Sequence, residues 1–172
     1  QFSTHNGVFK DTLGRTVNFR GINVSGSSKI PMTSTTNSIS FVGRPFPISE
    51  ADKHFERIHK WGFNFIRLIV TWEALEHEGP KIYDFEYINY IKEITKIARK
   101  HELYIMIDAH QDVWSRFTGG DGAPLWTLEK IGFNVHNFMD TNAALVFNPN
   151  DKIPPMIWPT NYSKLASATM FS

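Results

Sequence analysis

The chain has 172 residues, of which 41% are hydrophobic and 20% charged, and it contains no cysteine. This apolar fraction and balanced charge exclude a disordered chain, and the lack of cysteine excludes disulfides and thiolate metal sites. With 18 basic and 17 acidic side chains the net charge is +1, so we expect no nucleic-acid partner. No apolar run reaches the roughly 18 residues that a membrane-spanning helix needs, so we expect no transmembrane segment.

The first part of the chain predicts a hairpin that leads into a strand and then a loop. Residues 7–24 combine a turn at 11–14 with alternating β-favouring residues, which predicts the hairpin and a first strand. Residues 25–47 are rich in serine, threonine and proline and have no sustained period, which predicts a loop.

Helices and strands then alternate. Ser49 is expected to cap a helix that ends at Gly62, and Phe63 to Val70 predicts a strand buried on both faces. Asp84 is expected to cap a second helix, and residues 103–108 predict another buried strand. The inward stripe of that second helix is Tyr87, Ile88, Ile91, Ile94, Thr95 and Ala98.

The three strands recur at intervals of roughly forty residues, with helices between them, which favours a parallel sheet with helical crossovers. Further short helices are predicted at residues 125–131 and from Asn161 to Met170. A doubly wound sheet and a closed (β/α)8 barrel both fit this order. No Gly-x-Gly-x-x-Gly or phosphate-binding loop occurs, so the usual nucleotide-binding uses of a doubly wound sheet lose support.

Polar residues lie where the predicted strands end, and in a parallel sheet the carboxyl ends of the strands face the active site. Arg67 interrupts an apolar strand, either as a salt-bridged structural residue or as one that orients a catalytic carboxylate. Asp108, His110 and Asp112 alternate, so they share one face and could ligate a cation, bind substrate hydroxyls or hydrogen-bond within the core.

Lys29 and several tryptophans are further candidates for a substrate site. Lys29 follows the first strand and would lie above the carboxyl edge of the sheet, unless it is simply exposed to solvent. Four tryptophans fall in predicted loops or loop edges, where some would line a cleft and others would only pack the loops. They are Trp72, Trp114, Trp126 and Trp158.

The motifs in these regions resemble, in order, the opening of a glycoside hydrolase family 5 enzyme. They are Arg20-Gly21-Ile22-Asn23, Phe63-Asn64-Phe65-Ile66-Arg67-Leu68, Trp72-Glu73 and Asp108-Ala109-His110-Gln111-Asp112. The stretch 110–115 is similar to the endoglycoceramidase-related branch. Residues 122–126 and 157–162 resemble the fungal members of that branch, which are similar to glucosylceramidases and steryl β-glucosidases.

The resemblance implies an α/β fold, a (β/α)8 TIM barrel of which residues 1–172 form an N-terminal, incomplete part with about three βα units. It implies a retaining β-glucosidase that acts on a glucosylated lipid without cofactor or metal. In this family Arg67 would support the nucleophile carboxylate and His110 would contact the glucosyl unit. Lys29 and Asp112 would bind sugar hydroxyls, and we also expect Trp114 to contact substrate.

The chain departs from the family pattern in its carboxylates. The family's two catalytic glutamates end the fourth and seventh strands, the first of them in an Asn-Glu pair, and this chain contains no Asn-Glu dipeptide. Glu73, Glu76 and Glu78 follow the second strand, which is the wrong place for either role. We therefore expect both catalytic glutamates beyond Ser172, and a chain that is inactive alone.

The expected partner is a glycolipid, with peripheral membrane contact. A lipid could be received by the loop that carries Ile30, Met32, Ile39, Phe41, Val42 and Phe46, unless that loop packs over the barrel mouth. The lack of cysteine and of a visible signal segment favours an intracellular site, cytoplasm or vacuole. Three alternatives stay open: an endo-acting β-glycanase of the same family, a metal-dependent barrel hydrolase using Asp108, His110 and Asp112, and a non-catalytic truncated product.

Overall fold

The computed structural model describes residues 2–144 except 26, 33–38, 139 and 142. Within them an antiparallel hairpin precedes a three-stranded parallel sheet. The predicted helix at Asn161–Met170, Trp158 and the motif at 157–162 lie outside the described residues. No helix in the described part combines the length and the apolar composition that crossing a bilayer requires.

The hairpin lies further towards the start of the chain than the sequence prediction placed it. Strands β1 (Ser3–His5) and β2 (Val8–Lys10) pair across Asn6-Gly7, and both turn residues have positive φ. Asn-Gly is favoured at such turns because both residues adopt this conformation readily. The expected turn at 11–14 is also present: it brings Lys10 opposite Thr16, and the Val17 N–H donates to the Phe9 carbonyl at 2.9 Å. Residues 7–24 thus contain the predicted turn and first strand, while the regular two-stranded hairpin is centred on a turn that the prediction did not include.

The parallel sheet follows the predicted rhythm. Its strands, in spatial order, are β3 (Gly21–Val24), β4 (Phe65–Thr71) and β5 (Tyr104–His110). Thr71, the last residue of β4, pairs in register with His110, the last residue of β5. The carboxyl ends of these two strands therefore lie at one edge of the sheet.

Four α-helices and one short 3₁₀ helix accompany the strands in the described residues. They are α1 (Ile48–Lys60), α2 (Trp72–Glu76), α3 (Phe85–Lys100), α4 (Leu125–Lys130) and the 3₁₀ turn Val135–Asn137. The predicted cap of α3 is confirmed, because Asp84 Oδ1 accepts from the Tyr87 N–H at 2.8 Å. The predicted cap of α1 was wrong. That helix begins after Pro47, whose carbonyl accepts from the Glu50 N–H.

The core lies between β4 and the apolar faces of α1 and α3. It buries Ile66, Leu68 and Val70 of the strand, Ala51, Phe55 and Ile58 of α1, and Tyr87, Tyr90, Ile94 and Ala98 of α3. The side chains of β4 alternate, so Arg67 points to the opposite face of the sheet from this core. That face is where the polar residues of the site meet.

Strand β5 is not the buried strand that the sequence predicts. Its side chains are partly or fully exposed, and Tyr104, Met106 and Ile107 are each about half exposed. The reason is its position, since β5 is the last strand of the sheet and no further strand pairs with its outer edge in the described part of the chain.

An aromatic cluster closes the opposite, amino-terminal edge of the sheet. The ring of Phe19 lies 4.9–5.6 Å from the rings of Phe9, Phe65 and Tyr104, and Phe2 also packs on Phe19 and Tyr104. Phe65 and Tyr104 are the first residues of β4 and β5. The hairpin is thus held beneath the sheet, away from the carboxyl edge.

Candidate active site

A continuous line of charged contacts crosses the carboxyl edge of the sheet. Arg67 Nη2 lies 2.7 Å from Asp108 Oδ2, and His110 Nδ1 lies 2.9 Å from the same oxygen. His110 Nε2 lies 3.0 Å from Asp112 Oδ2, so its two ring nitrogens face two different carboxylates. We call these residues, together with Lys29 and Asp121, the polar network.

Lys29 joins the loop after β3 to the loop after β5. Its Nζ donates to Asp112 Oδ2 at 2.7 Å and lies 3.1 Å from Asp121 Oδ2. Asp112 and Asp121 are held side by side by two backbone hydrogen bonds, of 3.0 and 2.8 Å. One ammonium group is therefore shared between two carboxylates that lie close together.

These contacts shift the ionisation of all three groups. Burial lowers the pKa of Lys29, but Asp112 and Asp121 together outweigh it, and the net pKa of Lys29 is raised. The hydrogen bond from Lys29 is the largest cause that lowers the pKa of Asp112, whose side chain is 51% exposed. Asp121 is only 6% exposed, and there burial raises the pKa against the effect of Lys29.

Two glycines allow the loop of Asp112 and Asp121 to close. A Cβ at Gly120 would lie 1.8 Å from the carbonyl oxygen of Asp112, and one at Gly122 would lie 2.6 Å from Gln111 Cγ. Gly122 also has a φ of +121°, which side-chain-bearing residues rarely adopt. The glycine-rich turn in the sequence is therefore needed to bring Asp121 against Asp112.

The arrangement bears on the metal hypothesis for Asp108, His110 and Asp112. Asp108 and Asp112 lie at opposite edges of the imidazole, so one ion could not bind the ring and both carboxylates. Ligand atoms of His110, Asp112 and Asp121 do lie within 4.8 Å of one another. The Lys29 ammonium already bridges those two carboxylates, so a divalent ion would have to displace it.

Trp114 follows Asp112 by two residues, and its indole N–H is engaged in a hydrogen bond outside the polar network. That group donates to Thr127 Oγ1 at 3.0 Å, which ties Trp114 to α4. The Trp72 ring meets Trp114 and Trp126 edge to face, at 6.5 and 5.4 Å between centroids. Trp72, Trp114 and Trp126 thus form one aromatic cluster, and contact of Trp114 with substrate stays a prediction.

The apolar loop that was expected to receive a lipid packs largely inward. Phe41 is fully buried and its ring lies 6.1 Å from that of Tyr87. Phe46 stacks on His54 at 4.5 Å, and Val42 packs against the same core. Met32 is the large apolar residue of this loop that is well exposed in the described residues. Most of this loop is therefore packed against the core and is not open to receive a lipid.

Sequence reasoning missed Asp121 and the pair formed by Glu73 and Arg116. The signal for Asp121 was an aspartate between two glycines, Gly120-Asp121-Gly122. Glu73 is 1% exposed, and Arg116 Nε donates to its two oxygens at 2.9 and 3.1 Å. Burial raises the pKa of Glu73, with Arg116 acting in the opposite direction. Trp72, which was predicted to lie in a loop or at a loop edge, is instead the first residue of α2.

The family is decided by comparison with known proteins. The sequence model described as Cellulase (glycosyl hydrolase family 5) matches residues 11–153. The chain belongs to glycosyl hydrolase family 5. It is 48% identical over 182 residues to a glucosylceramidase of Rhizopus delemar, which covers 95% of this chain and 26% of the relative. It is 41% identical over 196 residues to the ergosteryl-beta-glucosidase of Saccharomyces cerevisiae. That match covers 96% of this chain and 26% of the relative.

The fold is shared with a solved relative in the same family. The crystal structure of Cryptococcus neoformans sterylglucosidase 1 with tris matches 94% of this chain and 25% of that chain, with a TM-score of 0.81 and 38% identity. The predicted (β/α)8 barrel, of which this chain holds about three units, is confirmed. The chain spans about a quarter of the length of the curated relatives it matches.

Replacing Lys29 by methionine tests the electrostatics of the network. In Lys29→Met we expect the pKa of Asp112 to rise, because its largest lowering contact is lost. A carboxyl group whose pKa is lower in the folded than in the unfolded protein stabilises the fold at pH values above its unfolded pKa. That stability is lost as the pH falls through its folded pKa. Carboxyl NMR titration measures the shift, with Lys96→Met on the exposed face of α3 as the control. An unchanged pKa of Asp112 in Lys29→Met would contradict the arrangement.

Proposed function

We propose that the whole protein that carries this chain is a retaining β-glucosidase that acts on glucosylated lipids, with glucosylceramide or a steryl glucoside as substrate. The relatives named above support this class of substrate. The observation that carries the proposal is the convergence of Lys29, Arg67 and His110, from three successive βα units, at one edge of the sheet.

The polar network is suited to binding a glucosyl unit. A sugar hydroxyl both donates and accepts, so it can bond simultaneously to a cation and a carboxylate such as Lys29 and Asp112. The His110 imidazole lies beside Asp112, and Asp121 contacts the Lys29 ammonium group. The proposed sugar-binding residues are Lys29, His110, Asp112 and Trp114, and we add Asp121 to this set.

Arg67 is proposed to act on the nucleophile. Retention requires two carboxyl groups about 5–5.5 Å apart, one as acid/base and one as nucleophile. The network carboxylates are already bonded to Lys29, His110 or Arg67, and Glu73 is buried against Arg116. We therefore propose that both catalytic carboxyls come from barrel strands outside this chain. A guanidinium beside a carboxylate favours its ionised form, which is the form that attacks.

Contact with a membrane surface is part of the same proposal. Ile82, Tyr83 and Phe85 are each at least half exposed, and they follow β4 on the carboxyl side of the sheet. Apolar side chains at the rim of a mouth are suited to reaching a lipid surface while the sugar enters the polar site. These three residues, rather than the packed loop before α1, are the proposed contact.

The substrate assignment predicts activity of the whole protein on glucosylceramide, on a steryl glucoside, or on both. Released glucose is the measured product, and its β-configuration when first released shows retention. We expect the 172-residue chain alone to give no turnover, because it lacks the proposed catalytic carboxyls. Activity on cellulose with none on either lipid would refute the lipid assignment, and hydrolysis by the chain alone would show that the carboxyls are misplaced.

Arg67→Ala is expected to reduce kcat/KM of the whole protein by on the order of 10²-fold, the loss typical of removing one charged stabilising donor from an active site. Steady-state kinetics measure the effect, and circular dichroism establishes that the variant is folded. Arg99→Ala, in the last turn of α3, is the control because it is exposed and remote from the carboxyl edge. A folded Arg67→Ala enzyme with unchanged kinetics would restrict Arg67 to a structural salt bridge.

A further inference from the structure

The loop formed by residues 111–124 contacts α2 at several points, and two of them involve Glu73. The Glu73 carboxylate accepts from Arg116 Nε, and the Glu73 backbone N–H donates to the Gly122 carbonyl at 2.7 Å. Gly122 directly follows Asp121, which contacts Lys29. One residue of α2 therefore controls the position of the loop on either side of Asp121.

The buried ion pair between Glu73 and Arg116 contributes more to fixing the position of the loop than to the stability of the fold. Glu73 is almost fully buried and Arg116 is 14% exposed, so both groups have lost most of their hydration. The desolvation cost of such a pair largely offsets its Coulombic attraction. The Arg116 guanidinium also lies 4.1 Å from the centre of the Phe117 ring. A second arrangement of the loop would leave a charge buried without a partner.

Backbone contacts transmit this anchoring to the polar network. Thr71 Oγ1 caps α2 by accepting from the Ala74 N–H at 3.2 Å, which places Glu73 in the first turn of α2, two residues after the end of β4. The Asp121 N–H donates to the Asp112 carbonyl at 2.8 Å, and the Ala123 N–H donates to Trp114 at 2.7 Å. A shift of Gly122 would move Asp121, and with it the partner of Lys29.

We propose that Glu73 and Arg116 are positioning residues for the sugar site. They hold Asp121 against Asp112, so that Lys29 lies between both carboxylates and presents a further N–H to a sugar hydroxyl. This role rests on the proposed function of the polar network in binding glucose. It extends the site to a glutamate that follows the second strand and has no part in the chemical step itself.

Kinetics of Glu73→Gln in the whole protein test the proposal. This near-isosteric change removes the charge that holds Arg116. We expect KM for the glucoside to rise about tenfold, the effect of losing one charge-assisted hydrogen bond, with kcat nearly unchanged. Glu93→Gln is the control, because Glu93 pairs with Lys96 on the exposed face of α3. A merely structural role would reduce the active fraction, and so the apparent kcat, at unchanged KM. That result would overturn the proposal.

Hydrogen exchange gives a readout that does not depend on activity. In Glu73→Gln the amides of Asp121 and Ala123 should exchange at least tenfold faster, while those of β4 keep their wild-type rates. Unchanged exchange in the loop, or equal acceleration throughout β4 and α3, would overturn the positioning role. If the wild-type protein hydrolyses no β-glucoside, the proposed function fails, and exchange confined to the loop would still show that Glu73 anchors it.

Discussion

The ammonium group of Lys29, shared between Asp112 and Asp121, is the contact on which the arrangement of the site depends. It joins the loop after the first parallel strand to the loop after the third. Without that positive charge, two neighbouring carboxylates would repel each other, and burial would favour protonation of Asp121. The opposite pKa shifts of Asp112 and Asp121 follow from their different exposure to water around the same cation.

The two ends of the sheet serve different purposes. At the amino-terminal edge, Phe19 packs against the first residues of β4 and β5 and holds the hairpin in place. On the face that leads to the carboxyl edge, the same strands carry Arg67, Asp108 and His110, whose polar side chains contact one another. This separation is typical of (β/α)8 enzymes, in which stability residues lie below the barrel and chemistry lies above it.

Much of this could be predicted from local sequence patterns. The strand period, the Asp84 cap and the shared face of Asp108 and His110 depend on residues close in sequence, where periodicity is informative. The Asn6-Gly7 turn had a local signal that went unused. The pairing of Asp121 with Lys29 and that of Glu73 with Arg116 could not be predicted, because each depends on the approach of segments far apart in the chain. The exposure of β5 depends on its neighbours in the sheet, which its own apolar pattern does not specify.

A structure of the whole protein with bound glucose, or a glucose-like inhibitor, tests most directly whether the polar network is the sugar site. We expect sugar hydroxyls within about 2.7–3.2 Å of Lys29 Nζ and of an Asp112 oxygen, with His110 also in contact. We also expect Asp121 to keep its contact with Lys29 when the sugar is bound. A sugar bound elsewhere in the barrel, with Lys29 and Asp112 untouched, would contradict the account.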